Sequence, residues 1–234
     1  MKFFRALIAA CVLALSPALA GLAPARADAY QDFFAAIARN DGRAVETAML
    51  RGINSNSADR KLGPAAIYAV QQNAPAALKA LLLSPATDVN VRNAQGETAL
   101  MYAALQGELE TVKLLIARGA QVNHPGWTPL HYAASGGQLS VVQLLLEHHA
   151  YIDAASPNGT TPLMIAARQQ RPTVARFLVE QGADPTLCND GGWSAADYFE
   201  RHGETDQAAW MRERAAEFRK RYGSKEAPVP ASRP

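Results

Sequence analysis

With 234 residues, 49% of them hydrophobic, the chain is long enough to bury a real core in one or two ordinary domains. Its 23 Lys and Arg stand against 21 Asp and Glu, a formal net charge of only +2. That balance excludes bulk positive charge as a route to nucleic acid or to an anionic membrane.

Residues 1–27 have the pattern of a secretory signal peptide. Lys2 and Arg5 open it, and Ala6 to Leu15 forms an uncharged apolar stretch. Ser16-Pro17 interrupts the helix, and Ala25-Arg26-Ala27 is a small-x-small cleavage site before Asp28. Ala18-Leu19-Ala20 is a second possible site, followed by an Ala/Pro-rich segment without apolar patterning. The apolar run is shorter than the roughly 20 residues a bilayer span needs. Ile8-Ala9-Ala10-Cys11 resembles a lipobox, but lipidation there would leave an unusually short signal, and the apolar run continues past the cysteine. Cleavage after Ala27 predicts a periplasmic or secreted protein with no membrane span. Lys2, Arg5 and Arg26 leave with the leader and no acid accompanies them, so the mature net charge is about −1. Cys188 is then the one remaining cysteine, which leaves no intramolecular disulfide and requires stability by packing alone.

The rest of the chain repeats itself. Thr128-Pro129-Leu130-His131-Tyr132-Ala133-Ala134 returns 33 residues later as Thr161-Pro162-Leu163-Met164-Ile165-Ala166-Ala167. Thr98-Ala99-Leu100-Met101-Tyr102-Ala103-Ala104 is the same segment with its proline replaced. Pro64-Ala65-Ala66-Ile67-Tyr68-Ala69 upstream and Ser194-Ala195-Ala196-Asp197-Tyr198 downstream are weaker copies. A short amphipathic helix follows each, as in Leu78 to Leu82, Val112 to Ile116, Val142 to Leu146 and Ala175 to Val179. Turns such as Arg118-Gly119-Ala120-Gln121-Val122-Asn123 and Gln181-Gly182-Ala183-Asp184-Pro185 come next, with a glycine where a helix ends and the backbone needs positive φ.

At these residues the chain resembles the ankyrin-repeat family, exported bacterial members included. The resemblance covers roughly Tyr30 to Gly223. It implies an all-α solenoid of stacked helix-turn-helix pairs with β-hairpin fingers over 28–223. Four repeats are recognisable between two degenerate ends. The first end runs from Tyr30 to Gly63, with Phe34, Ile37 and Ala38 on one helix and Val45, Ala48 and Leu50 on the next. The last closes on a charged helix carrying Trp210, Met211, Phe218 and Tyr222. Each helix is too short to persist alone, so stacking must supply the stability. By the same analogy His131 is structural. Three departures stand out: His124-Pro125-Gly126 leaves one finger three residues short, which predicts a notch; Ala65 and Ala99 replace proline; and His149 replaces a helix-ending glycine. Residues 224–234 (SKEAPVPASRP) are Pro-rich and apolar-poor and are expected to be disordered.

Motifs for chemistry are lacking. There is no phosphate-binding glycine loop, HExxH or G-x-S-x-G, and Gly192-Trp193-Ser194-Ala195-Ala196 falls where the repeat places its own cap. Glu147-His148-His149 with Asp153 suggests a metal only until the roughly 100° between successive helix positions is considered. Asn158-Gly159-Thr160 matches a glycosylation acceptor, yet Asn-Gly is also a preferred finger turn. The run Arg212, Arg214, Arg219, Lys220, Arg221 is interrupted by Glu213 and Glu217 and reads as a solvated end face. Cys188 sits in the last finger, where a redox role has no further support. No cofactor, metal or catalytic residue is therefore expected, and the chain is read as a non-enzyme and a monomer.

In the family, finger tips and the concave face of the first helices hold protein partners. Carried over by position, the residues before each cap are Glu97, Trp127, Thr160 and Trp193. The variable pairs ending each first helix are Leu105-Gln106, Ser135-Gly136, Arg168-Gln169 and Arg201-His202. The two tryptophans are either partner anchors or rings packed on a neighbouring finger. The function implied is an exported scaffold binding a periplasmic or envelope protein. The alternative is a periplasmic inhibitor or immunity protein that neutralises a toxic enzyme.

Overall fold

The computed structural model describes residues 22–223, with side chains from Asp28 onward. Most of the expected leader and the whole segment 224–234 lie outside the described residues. The first helix, α1 (Leu22–Ala38), starts ahead of the expected boundary at Asp28 and runs through Ala25-Arg26-Ala27. Alanine favours a helix there, and Pro24 lies in the first turn, where its missing N–H leaves no helical bond unmade.

Among the described residues six helix pairs follow one another. After α1 come α2 (Gly42–Leu50), α3 (Ala65–Gln71), α4 (Pro75–Leu83), α5 (Ala99–Gln106) and α6 (Leu109–Ala117). Then come α7 (Pro129–Gly136), α8 (Leu139–Glu147), α9 (Pro162–Arg168), α10 (Pro172–Glu180), α11 (Ala195–Arg201) and α12 (Thr205–Tyr222). The odd-numbered helices pack in sequence as one layer, α1 on α3 through to α9 on α11. Even-numbered helices form the second layer, with α2 on α4, α6 on α8 and α8 on α10. Small residues permit the close approach within the first layer: Ala69, Ala103, Ala104, Ala133, Ala134, Ala166 and Ala167 are all fully buried. Leu78, Leu115, Leu145 and Leu178 fill the space between layers from the second helices. Shortening one of these leucines to alanine would cost about 2–5 kcal/mol by leaving a cavity.

Local chemistry sets where helices start and stop. Thr98, Thr161 and Ser194 each accept the N–H three residues on, from Met101, Met164 and Asp197, at 3.3 Å. Pro129 and Pro162 occupy the first helical position, which their fixed φ suits. His149 stands at φ 61° just past α8, in the left-handed conformation that Gly119 and Gly182 take after α6 and α10. A side chain there costs strain that glycine avoids.

At the first end, Val45 is buried as expected, but Phe33 joins Phe34 and Ile37 in the core, while Ala38 and Leu50 are exposed. Leu50, the last residue of α2, is 83% exposed.

The fingers are mostly hydrogen-bonded turns. Among the described residues one ladder forms, β1 (Ala58–Asp59) antiparallel to β2 (Gly63–Pro64). Three others close by single backbone bonds: Asn93 N–H to Glu97, Ser156 to Thr160 and Asn189 to Trp193. The short finger has no corresponding bond from Asn123 to Trp127; Gly126 turns it at φ 85°.

A second tie runs between repeats. Asn56 donates to the Ala86 carbonyl and accepts from Asp88 N–H, both at 2.7 Å. Asn90 does the same with Gly119 and Gln121, and Asn123 with His149 and Tyr151. Asp153 continues the series by accepting from Asp184 N–H. Each carboxamide thus satisfies both a carbonyl and an N–H that the end of a helix leaves open.

Candidate functional site

The first helices present one side chain per repeat beside the fingers, four residues after each cap: Tyr68, Tyr102, Tyr132, Ile165 and Tyr198. Tyr68, Tyr102 and Tyr132 are half-buried, whereas Ile165 and Tyr198 are covered. Phe34 extends the row, its ring centroid 6.0 Å from that of Tyr68. The repeated motif contains this row at a fixed position, although sequence reasoning singled out the flanking residues instead.

Glu97 sits at the centre of a polar cluster on this face. Its carboxylate accepts from Asn93 at 2.8 Å, from the Tyr132 hydroxyl at 2.7 Å, and from the Tyr102 hydroxyl. Burial would raise its pKa, but the three donors outweigh that and hold it below the ordinary carboxylate value. Burial and the Glu97 charge in turn push both tyrosine hydroxyls up, so they remain donors. Glu97 joins the third and fourth helix pairs and keeps little hydrogen-bonding capacity for a partner.

His131 is also engaged within the protein. Its Nδ1 accepts from Thr128 N–H at 3.2 Å and lies 2.9 Å from Thr128 Oγ1, while Nε2 lies 3.0 Å from the Thr160 carbonyl. A backbone N–H can only donate and a carbonyl can only accept, so the proton is on Nε2. Burial pushes the imidazole down to about 4, against the opposing hydrogen bonds to carbonyls. This corrects one expected site residue: Thr160 is fully buried, and its carbonyl anchors His131 while its hydroxyl lies 3.4 Å from Asn189. It supports the groove from below and presents nothing to a partner.

Other expected residues do come together. Leu105, Trp127 and Arg168 line one hollow of about 200 Å³ with His131, Tyr132, Ser135 and Ile165. Trp127 is half-buried and meets the His131 ring edge-on at 5.2 Å, so one part of the indole packs locally while another lines the hollow. Trp193 leans on Tyr198 with centroids 5.6 Å apart, and the Arg201 guanidinium stands 5.2 Å from its ring centroid. Gln106 and Gln169, at the ends of α5 and α9, are exposed.

The remaining polar features have structural roles. Ser194 Oγ donates to Asp197 at 2.7 Å, a reciprocal helix cap with no histidine in it. No group of three or more His, Cys, Asp or Glu among the described residues is placed to hold a metal. The Cys188 thiol is exposed, and desolvation followed by the Asp197 charge pushes its pKa up, away from the reactive thiolate. No described helix is long and apolar enough to cross a membrane.

Comparison with known proteins places this geometry. The family model for ankyrin repeats (3 copies) matches residues 33–125, 66–156 and 122–189. The B-cell lymphoma 3 protein homolog of Mus musculus is 35% identical over 152 residues, 62% of this chain and 34% of that protein. Protein phosphatase 1 regulatory subunit 27 of Mus musculus is 37% identical over 105 residues, covering 45% and 49%. Ankyrin repeat and KH domain-containing protein mask-1 of Caenorhabditis elegans is 30% identical over 109 residues, 47% of this chain but 3% of that protein. The matched stretches thus span less than half of each relative. With three matched copies over helix pairs stacked in register, the chain belongs to the ankyrin-repeat family.

Proposed function

We propose that the chain is an exported interaction scaffold that holds a protein partner along its first-helix face, from Leu105 to Arg201. An ankyrin-repeat stack is a protein-binding scaffold at the coarse level. The observation that supports the finer reading is the hollow joining Leu105, Trp127 and Arg168 on three successive helix pairs. Tryptophan and arginine are both residue types enriched among interface anchors. Export rests on the leader pattern of residues 1–27, so the partner is sought in the periplasm or envelope. Within this reading the chain acts by holding, as a monomer, with no cofactor, nucleic acid or catalytic step. The second version is the inhibitor, in which the held partner is a toxic enzyme; the name of one relative, a phosphatase regulatory subunit, supports an enzyme as the kind of partner.

The test is capture from the exported fraction by tagged protein, compared with the triple variant Trp127→Ala, Trp193→Ala, Arg168→Ala. Loss of one enriched envelope protein with helical circular dichroism retained supports the assignment. Equal capture by both proteins removes it. Restored activity of a captured enzyme on dissociation selects the inhibitor version.

A further inference from the structure

The chemistry of the hollow narrows what it can hold; this step rests on the groove reading above. Leu105, Trp127, Tyr132 and Ile165 give it apolar and aromatic walls, and Ser135 is small enough to leave the space open. At about 200 Å³ it is below the roughly 300–1,000 Å³ of small-ligand sites and suits a single side chain. Arg168 forms one rim. In the next helix pair stands Arg201, over Trp193. Both arginines are exposed, and among the described residues neither forms an ion pair.

Acids on the same face or elements are engaged elsewhere. Glu200 pairs with Arg212 across to α12. Asp197 accepts from Ser194 N–H and Oγ. Glu97 takes its three donors from Asn93, Tyr102 and Tyr132, and reaches the hollow only through the Tyr132 hydroxyl. Two guanidiniums without an ion pair therefore stand on the α9–α11 side of the hollow, whereas the ionised Glu97 lies behind Tyr132 on the opposite side. A guanidinium without a partner recognises a carboxylate by two parallel N–H donors.

We infer that the groove selects a linear acidic-apolar segment of its protein partner. One large apolar side chain fills the hollow between Trp127 and Ile165, and a nearby carboxylate lies against Arg168. A second acid further along the segment reaches Arg201.

Panning a random linear peptide library on the full chain tests this directly. Enriched peptides should pair Leu, Ile, Phe or Trp with a neighbouring Asp or Glu. Replacing that acid by alanine in a synthetic copy should weaken binding about tenfold by fluorescence anisotropy, the equivalent of one charge-assisted contact. The double variant Arg168→Glu, Arg201→Glu alters only exposed side chains; it should keep its melting curve and select Lys- or Arg-containing peptides instead. Ser135→Leu should close the hollow and lose the apolar preference. Peptides enriched without acids, affinity indifferent to Arg168→Glu, or no enrichment would each overturn the proposal. If any of these occurs while the triple variant still loses its envelope partner, only the acidic-apolar chemistry falls. If the triple variant captures normally, the groove itself is misassigned.

Discussion

His131 is neutral in the folded chain because its ring is buried and its two nitrogens are already matched to a donor and an acceptor. The folded-state value of about 4 lies below the ordinary 6.5, so the unfolded chain binds a proton in this interval and the folded chain does not. Stability is therefore complete above pH 6.5 and is lost progressively as pH falls toward 4, by about 3 kcal/mol over the whole interval. His124, also pushed down by desolvation, titrates in the same direction. The His131 share is the difference in urea-unfolding free energy between the wild type and His131→Gln, followed from pH 7 to 4.5. A slope identical in both proteins would mean that the ring binds its proton equally well in the folded and the unfolded chain. Glu97, held below the ordinary carboxylate value, loses its contribution only at more acid pH and leaves this window clear.

At the scale of the element, the carboxamide ties decide how well one turn seats on the next. Asn123 donates to the His149 carbonyl at 2.7 Å and accepts from Tyr151 N–H at 2.8 Å, at the finger that lacks its own closing bond. Asn123→Ala should cost about 1–2 kcal/mol, since both partners are lost at a partly exposed site. Thermal melting would show it, and an unchanged midpoint would mean that water replaces the carboxamide. The Val-Asn turn was legible as a spacing, but its role was not, because the groups it satisfies lie about thirty residues away and only the stacked fold brings them close. The same limit explains Thr160. At the position before a cap Glu97, Trp127 and Trp193 stay half-buried, whereas the burial of Thr160 follows from the ring that His131 sends from the preceding repeat. Helix periods, caps, proline positions and the short finger were readable because they are local. Conversely, the Tyr102–Glu97–Tyr132 cluster joins residues whose chemistry appears only once two repeats are in register.

Among the described residues the main helix contacts run between neighbouring pairs, so the ends determine how the stack begins to unfold. The last end is closed by α12, which lies on α11 and continues as a charged helix. Ala208, Met211 and Ala215 bury its inner face, where Phe199 is 1% exposed. Trp210 adds a link back to α10, with the Arg176 guanidinium 4.4 Å from its ring centroid and Arg176 Nε donating to Gln207 at 3.1 Å. Its outer face carries Arg212, Glu213 and Lys220, which suits an end with a neighbour on one side only. Ending the chain at residue 203 would uncover Phe199, Ala195 and Ala196 together, an apolar surface that α11 alone cannot bury. Nearest-neighbour coupling then predicts loss of hydrogen-exchange protection in α11 first and in α9–α10 to a smaller degree, with α3–α6 unchanged. Uniform loss from α1 to α11 would show that the stack unfolds as one cooperative unit. The distinction bears on binding, because Arg201 and Trp193 stand on the repeat that α12 supports, whereas Leu105 and Trp127 do not. Under nearest-neighbour coupling the truncated chain should keep its apolar selectivity at the hollow while losing the contribution of Arg201, a separation that peptide anisotropy on the truncated protein would resolve.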